Sequence, residues 1–151
     1  MQPTLRRGSI ALVRPCDAAC VGTLTRGQMV VVRPAGREGA PLIKRVVALG
    51  GDRVEFGQGI LMVNGRTEKR RAVIHPQAGD APGSWHRAHL SGDVRRSAYR
   101  PTGESWGPIL VPSGAVFVLG DNRQNSRDSR ALGPIRTDEI TSRVVGSFAL
   151  W

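Results

Sequence analysis

The sequence predicts an all-β domain of mostly antiparallel strands, with at most short helices. Its 19 glycines and 10 prolines among 151 residues favour short strands joined by turns over a helical bundle. Apolar residues make up 40% of the chain, which is enough for one modest core. The apolar runs are short, as at 29–32 and 115–119, and none approaches the roughly 18–20 residues of a membrane-spanning helix. A single soluble domain spanning 1–151 is therefore expected.

Five strands are predicted in the first half of the chain, each ended by glycine, proline or a polar turn. They comprise residues 9–13, 28–33, 42–49, 53–56 and 60–63. The segment 42–49 is almost entirely apolar, which is typical of a strand buried on both faces. Side chains alternate along a strand, so Lys44 shares a face with Leu42 and Val46. The last two strands form a hairpin across Gly57-Gln58-Gly59.

The strand pattern weakens from about 66 to 108, where charge, Gly, Pro and isolated aromatic residues replace it. A long segment of this composition predicts a variable insertion or excursion with little core of its own. Strand signals return at 109–111 and 115–119, and the polar segment 120–130 follows directly. The tail, 137–151, is compatible with a short helix or with a closing strand.

The charge is strongly basic, at +10, and 20 of the 22 basic residues are arginine. Such a surface can bind nucleic acid or an anionic membrane. No zinc-finger pattern, RNP signature or basic heptad array accompanies it, and the aromatic residues are too few for base-stacking platforms. A solvated, arginine-rich surface is the simpler interpretation, and no nucleic-acid partner is expected.

Two cysteines and three histidines are the residues most often found as metal ligands. Cys16 and Cys20 are four positions apart and have no second pair at zinc-ligand spacing. They would form a disulfide in an oxidising compartment or stay as thiols in a reducing one, and both states stay open. His75, His86 and His89 occupy a stretch rich in Gly and Pro, which indicates surface histidines. Neither a metal site nor a cofactor is predicted.

Lys44 is one of only two lysines, and it lies inside an apolar strand. Arginine stays protonated in proteins, whereas a desolvated lysine can become a neutral amine. A neutral amine is a general base that can activate a hydroxyl. The alternative is a lysine whose charged end reaches solvent from the end of the strand. Position alone supports the two interpretations equally.

The segment Gly120–Arg130 is dense in Asp, Asn, Ser and Arg, and it follows an apolar strand. Such side chains can build a network of carboxylates, guanidinium groups and hydroxyls. A solvated loop is the ordinary interpretation of a polar run, and composition alone does not decide between the two.

Together these motifs resemble those of the type I signal peptidases. Lys44-Arg-Val-Val-Ala-Leu-Gly-Gly-Asp52 is similar to the lysine box of that family, and Gly120-Asp-Asn-Arg-Gln-Asn-Ser-Arg-Asp-Ser-Arg130 is similar to its C-terminal box. The hairpin ending in Val63-Asn64-Gly65 and the N-terminal Pro3-Thr4-Leu5 also resemble the family pattern, although Ser9 stands where Asp is usual. The match is ordered along the chain and leaves only about 66–108 unaligned.

The resemblance implies a membrane-anchored serine endopeptidase with a Ser/Lys dyad and an antiparallel, barrel-like β fold. Its implied partners are the signal peptides of exported proteins, bound extended with small side chains near the cleavage site, and in the full-length form a membrane surface. Its implied location is the extracytoplasmic face of the cytoplasmic membrane.

The same resemblance implies roles for individual residues. Lys44 corresponds to the general base and Ser126 to a serine that hydrogen-bonds to it. Structural support of the site is implied for Asp121, Asp128, Arg130 and Arg45, and substrate contact for Met1 and Pro3.

One departure from the family pattern concerns the nucleophile, which is the Ser of Ser-Met-x-Pro-Thr. The chain opens Met1-Gln-Pro-Thr4, so the resemblance places the nucleophile immediately before Met1. Ser9, Ser126 and Ser129 do not occupy that place in the motif. The chain as written is therefore expected to be inactive or nearly so. Either Met1 is an internal methionine of a longer, anchored protein, or the chain is a shortened product.

Other function classes stay open as alternatives. One is a related Ser/Lys maturation peptidase of a conjugation system. A self-cleaving repressor would need a DNA-binding domain, for which the sequence has no motif. A non-catalytic homologue would bind signal-type peptides without turnover, and a basic nucleic-acid binder ranks last.

Overall fold

The computed structural model describes residues 1–35, 39–68, 85–102 and 105–149, which form two antiparallel sheets. The strands are β1 (Ser9–Pro15), β2 (Met29–Val32), β3 (Leu42–Leu49), β4 (Arg53–Gly57), β5 (Ile60–Val63), β6 (Arg66–Thr67), β7 (Ser105–Leu110), β8 (Ala115–Leu119), β9 (Ile135–Arg136) and β10 (Ile140–Ala149). The helices are α1 (Ala18–Gly22), α2 (Trp85–Ala88) and α3 (Ser129–Leu132), and a 3₁₀ turn spans Thr137–Glu139. The predicted all-β class, with mostly antiparallel sheets and short helices, is confirmed.

The larger sheet has the strand order β1-β10-β2-β3-β8-β9, and the smaller sheet has the order β6-β5-β4-β7. The C-terminal β10 lies between β1 and β2, so a closing strand is the form that the tail takes. The predicted hairpin corresponds to β4 and β5, with Phe56 opposite Leu61. This topology places β3 and β8 side by side in the middle of the larger sheet.

The central strands separate two hydrophobic clusters. Phe117 and Leu119 of β8 face the cluster shared with the smaller sheet, whereas Val116 and Val118 face the cluster of the larger sheet. Residues 44–48 of β3 are buried in the same two-sided way. The prediction that 42–49 is buried on both faces is therefore confirmed for its centre, which includes Lys44.

The segment from 85 onward contributes more to the core than its sequence indicates. Leu90, Tyr99 and Trp106 are buried in the cluster shared with the smaller sheet, and Trp85 packs against it. The physical reason is that single aromatic side chains bury a large area without any periodic pattern. The expectation of little core in 66–108 is thus wrong for these residues. Residues 69–84 and 103–104 lie outside the described part.

The histidine prediction also needs correction. His86 is 1% exposed, and its ring stacks on Trp85 with the centroids 3.7 Å apart. Its Nδ1 lies 3.3 Å from the Tyr99 hydroxyl. His86 is therefore a core residue, whereas His89 is half-buried and His75 lies outside the described residues.

The short helix α1 is an element that the sequence did not predict. The Asp17 carboxylate caps it by accepting a hydrogen bond from the Cys20 N–H at 2.9 Å. Cys16 and Cys20 are joined by a disulfide, so the oxidised state is the one observed. In the described part of the chain, none of the helices has the length and hydrophobicity that crossing a bilayer requires.

Candidate active site

Lys44 lies on β3, opposite Val30 of β2. The residue is 8% exposed, and its Nζ donates a hydrogen bond to Ser126 Oγ at 2.9 Å. Burial lowers the pKa of the Lys44 amine below its ordinary value; the nearby Asp128 carboxylate partly opposes this shift and the Arg130 guanidinium adds to it. This amine therefore loses its proton at a lower pH than an exposed lysine would.

Gly120 provides the space in which Ser126 approaches Lys44. A Cβ atom at position 120 would lie 2.0 Å from Ser126 Oγ and 3.5 Å from Lys44 Nζ. Any other residue would push the serine hydroxyl away, so the contact requires glycine at the end of β8. In the sequence, Gly120 is only the first residue of the polar segment, and its steric role becomes visible in the fold.

Side chains of the polar segment take the place of a neighbouring strand at the end of β8. The short β9 pairs only with the first two residues of β8. Further along, the Val118 N–H donates to Ser129 Oγ and the Gly120 N–H donates to Asp128 Oδ2, each at 2.9 Å. Both acceptor residues are 0% exposed. The start of α3 is thereby attached to the sheet at two points.

Arg130 compensates the buried charge of Asp128. Its Nε lies 2.8 Å from Asp128 Oδ1 and its Nη2 lies 2.9 Å from Oδ2. A fully buried carboxylate needs such partners, because an unpaired buried charge is costly. Arg130 Nη2 also lies 3.3 Å from the backbone oxygen of Ser126. The ion pair thus braces the turn that presents the Ser126 hydroxyl.

A second ion pair lies on the opposite face of β3, since neighbouring side chains of a strand alternate. Arg45 donates through Nε and Nη2 to the two oxygens of Asp121, at 2.8 and 2.6 Å. This contact raises the pKa of the Arg45 guanidinium. The Thr4 hydroxyl also donates to Asp121, and this contact ties the N-terminal segment to the strand that carries Lys44. Thr4 belongs to a recognised motif, but nothing in the sequence indicates this partner.

The backbone of β3 has an open edge beside Lys44. Its pairing with β2 extends to Leu42, whereas its pairing with β8 begins only at Arg45, opposite Leu119. Within the described ranges, no strand pairs with 42–44 on the β8 side. An open edge of this kind can pair with an extended peptide.

Most of the predicted site residues belong to one of two hydrogen-bonded groups, and the other two lie in the N-terminal turn. One group comprises Lys44, Ser126, Asp128 and Arg130, and the other comprises Arg45 and Asp121. Met1 and Pro3 belong to an N-terminal turn in which the Leu5 N–H donates to Met1 O at 3.0 Å, and their contact with substrate stays a prediction. The described residues contain no group of three or more side chains suited to hold a metal ion.

Comparison with known proteins relates the whole chain to one family. The sequence profile described as "Signal peptidase, peptidase S26" matches residues 1–151. Signal peptidase I of Bacillus caldolyticus is 32% identical over 151 residues, covering all of this chain and 74% of the relative. Signal peptidase IB of Staphylococcus aureus is 30% identical over 155 residues, covering all of this chain and 73% of the relative. A crystal structure of a signal peptidase I from Enterococcus faecalis V583 is 23% identical, with a TM-score of 0.49, and covers 82% of this chain and 97% of that one.

Proposed function

The chain belongs to the signal peptidase family, peptidase S26, and on that premise we propose that it carries the Ser/Lys machinery that removes signal peptides from exported proteins. One observation carries this proposal, namely the buried Lys44 amine 2.9 Å from the Ser126 hydroxyl. A lysine in this setting suits a general base, and Ser126 suits the group that orients it.

In the proposed reaction, the attacking hydroxyl belongs to a serine immediately before Met1, as the family motif implies. The neutral Lys44 amine accepts the hydroxyl proton while the serine oxygen bonds to the scissile carbonyl carbon. The protonated amine returns that proton to the leaving nitrogen, the peptide bond breaks, and an acyl-enzyme remains. Water then hydrolyses the acyl-enzyme by the same proton transfers. Backbone N–H groups hold the oxyanion of each tetrahedral intermediate.

The two ion pairs have separate roles in this proposal. Asp128 and Arg130 hold the turn of Ser126, so that the amine is oriented by a fixed hydroxyl. Arg45 and Asp121 hold Thr4, which follows the expected position of the nucleophile by only a few residues. This second contact brings the segment after the nucleophile to the strand that carries the base.

The open edge at 42–44 supports the proposed mode of substrate binding. An extended signal peptide would pair there through backbone hydrogen bonds, which places its scissile bond next to Lys44. Because backbone pairing is independent of side chains, shallow pockets for small residues such as Ala would supply the specificity. Residues 1–151 act in this proposal as one catalytic domain.

The proposal includes a membrane surface as a partner, on the extracytoplasmic face of the cytoplasmic membrane. Strands β1 and β10 expose the apolar residues Ile10, Leu12 and Phe148, with Ile10 directly opposite Phe148. Arg14 and Arg143 lie opposite each other farther along the same pair of strands. Apolar groups next to arginine suit contact with anionic lipid headgroups. The disulfide between Cys16 and Cys20 suits an oxidising compartment.

The test compares three polypeptides on a peptide that contains Ala-x-Ala. They are the 151-residue chain, the chain with a serine and its preceding segment added before Met1, and the same extension with alanine in place of that serine. Cleavage after the second alanine is expected only with the serine, and Lys44→Met should abolish it. No gain from the serine, or full activity after Lys44→Met, would overturn the mechanism. Binding without turnover in every form would favour the non-catalytic alternative.

A further inference from the structure

The short helix α3 depends on contacts with the rest of the protein for its stability and position. It has four residues, and helices of this length are unstable without outside contacts. Its first turn is held by Asp128, whose backbone oxygen accepts hydrogen bonds from the N–H groups of Ala131 and Leu132, both at 2.9 Å. Its last turn ends at Gly133, which has φ = +83° and whose N–H donates to Ser129 O at 2.9 Å. Asp128 is itself attached to β8. At the C-terminal end, Leu132 packs against the cluster of the larger sheet, and Gly133 makes a separate contact.

Trp85 covers that end of α3. A Cβ atom at Gly133 would lie 3.0 Å from Cγ and 3.2 Å from Cδ2 of the Trp85 ring. The indole ring therefore lies close against the capping glycine: a Cβ atom there would require the ring to shift by a few tenths of an ångström, and the positive φ of Gly133 also favours glycine. Trp85 is 48 positions away in the sequence, in the segment whose pattern predicted little core.

The same indole ring also contacts β8 and its neighbours. Its centroid lies 6.0 Å from that of Phe117 and 5.9 Å from that of Trp106. Phe117 is 0% exposed and lies on β8, three residues before Gly120. One side chain thus contacts both β8, which precedes Gly120, and α3, which follows Ser126.

The contact depends on the ring and not on its polar group. Trp85 Nε1 is buried and has no hydrogen-bond partner in the described part of the chain. An unpaired buried N–H is unfavourable, so hydrogen bonding does not explain a tryptophan at this position. The area and shape of the ring explain it, and phenylalanine should therefore replace it with little loss.

We propose that Trp85 is a positioning residue for the Lys44–Ser126 pair, because its indole ring clamps the C-terminal cap of α3 against β8. The proposal rests on the proposed function for its catalytic consequence only. Without the clamp, α3 would pivot about Asp128, the turn that presents Ser126 would shift, and water would reach the amine of Lys44.

The test measures the pKa of Lys44 by NMR titration of its Cε resonance. The chain has two lysines, so Lys69→Arg in every sample leaves Lys44 as the only lysine. Trp85→Ala should raise the pKa of Lys44 toward the ordinary value of about 10.4, because loss of burial removes the main cause of its lowered pKa. Trp85→Phe should restore the wild-type value.

Phe56→Ala is the matched control. Phe56 is 3% exposed in the same cluster and contacts Trp106, so its loss also destabilises the core. Both alanine variants should lower the urea midpoint, but only Trp85→Ala should change the pKa of Lys44. Equal pKa values in the two variants would overturn the proposal. If Trp85→Ala does not fold, Trp85→Leu is judged by the same criterion.

A second readout is cleavage of the Ala-x-Ala peptide by the serine-bearing form, which is the chain with a serine and its preceding segment added before Met1. Trp85→Ala should lower kcat by roughly 10- to 100-fold with KM unchanged, the size of effect that a small misplacement of catalytic groups produces. If the serine-bearing form cleaves nothing, the proposed function fails while the NMR result still decides the role of Trp85.

Discussion

Two neighbouring cations on β3, Lys44 and Arg45, occupy opposite environments. Lys44 is buried beside a neutral hydroxyl, and burial lowers the pKa of its amine. Arg45 is buried beside a carboxylate that binds it at two points, and this contact raises the pKa of its guanidinium. One strand therefore presents a removable proton on one face and a permanent charge on the other.

The difference shows how the hydrogen-bond partner of a cation changes its pKa when two cations are equally exposed. Both residues are 8% exposed, so burial alone does not separate them. A carboxylate partner makes the cation a structural element, whereas a hydroxyl partner leaves it free to exchange its proton. The following variants test this contrast, in order of their expected effect on cleavage by the form that carries the added serine.

Lys44→Arg should remove the labile proton while keeping the charge. Because arginine stays protonated, kcat should fall on the order of 10⁶-fold, the loss seen when another serine protease loses its base or its nucleophile. Arg53→Lys, in an exposed ion pair with Asp93, is the control and should stay within a few-fold of the wild type. Peptide cleavage assays measure both. A Lys44→Arg variant with substantial activity would contradict the role of a general base.

Gly120→Ala should disturb the Lys44 face without touching the Arg45 face. The new Cβ atom would displace the Ser126 hydroxyl, and kcat should fall on the order of 10²-fold. Gly22→Ala is a suitable control, since nothing lies within 4 Å of a Cβ atom there. Unchanged kcat in Gly120→Ala would show that the contact with Ser126 does not orient the amine.

Asp121→Asn should affect stability more than chemistry. Loss of the charged partner leaves the Arg45 guanidinium buried and poorly compensated, which should lower the free energy of unfolding by about 3 kcal/mol. Asp93→Asn breaks an exposed ion pair with Arg53, which solvent screens, and should lower the free energy of unfolding far less. Urea denaturation compares the two variants. A large change in the pKa of Lys44 in Asp121→Asn would mean that the two faces are coupled.

His86 isolates the effect of burial without a charged partner. Burial lowers its pKa from 6.5 to about 4, and the Tyr99 hydroxyl faces its Nδ1. The unfolded chain therefore binds the extra proton first, so stability should decrease as the pH falls from about 6.5 to about 4, by about 3 kcal/mol in total. Above pH 6.5 this contribution is constant, and cleavage should not change.

Urea denaturation at pH 7 and at pH 4 measures this loss. His86→Phe should remove it, and the difference between the two proteins subtracts the titration of the carboxylates. Equal losses in both proteins would show that His86 is not the group responsible.

Much of the site could be predicted because its signals are local. A lysine inside an apolar strand and a polar segment after the next central strand are each readable from a few residues. The alternation of β3 also predicts that Lys44 and Arg45 face opposite ways. The partners of these two residues could not be predicted in the same way, because Ser126 and Asp121 reach β3 only through the tertiary fold.

The features that could not be predicted depend on distant residues or on very short elements. Thr4 meets Asp121 and Trp85 meets Gly133 through the tertiary fold alone, and no spacing in the chain encodes either contact. Isolated aromatic residues such as Trp106 bury their rings without a periodic pattern. The helix α1 is five residues long, too short to show helical periodicity.

The position of β10 has a consequence for synthesis. Strand β1 pairs with β10 at the edge of the larger sheet, and within the described residues it has no other strand partner. Within residues 1–151, β1 is therefore synthesised well before β10, and it cannot join the sheet until β10 is made. Until then the apolar residues of β1, among them Ile10 and Leu12, lie on an unpaired strand to which chaperones and proteases have access. Loss of residues 142–149 would leave β1 without its strand partner, although these residues are more than 100 positions away in the sequence.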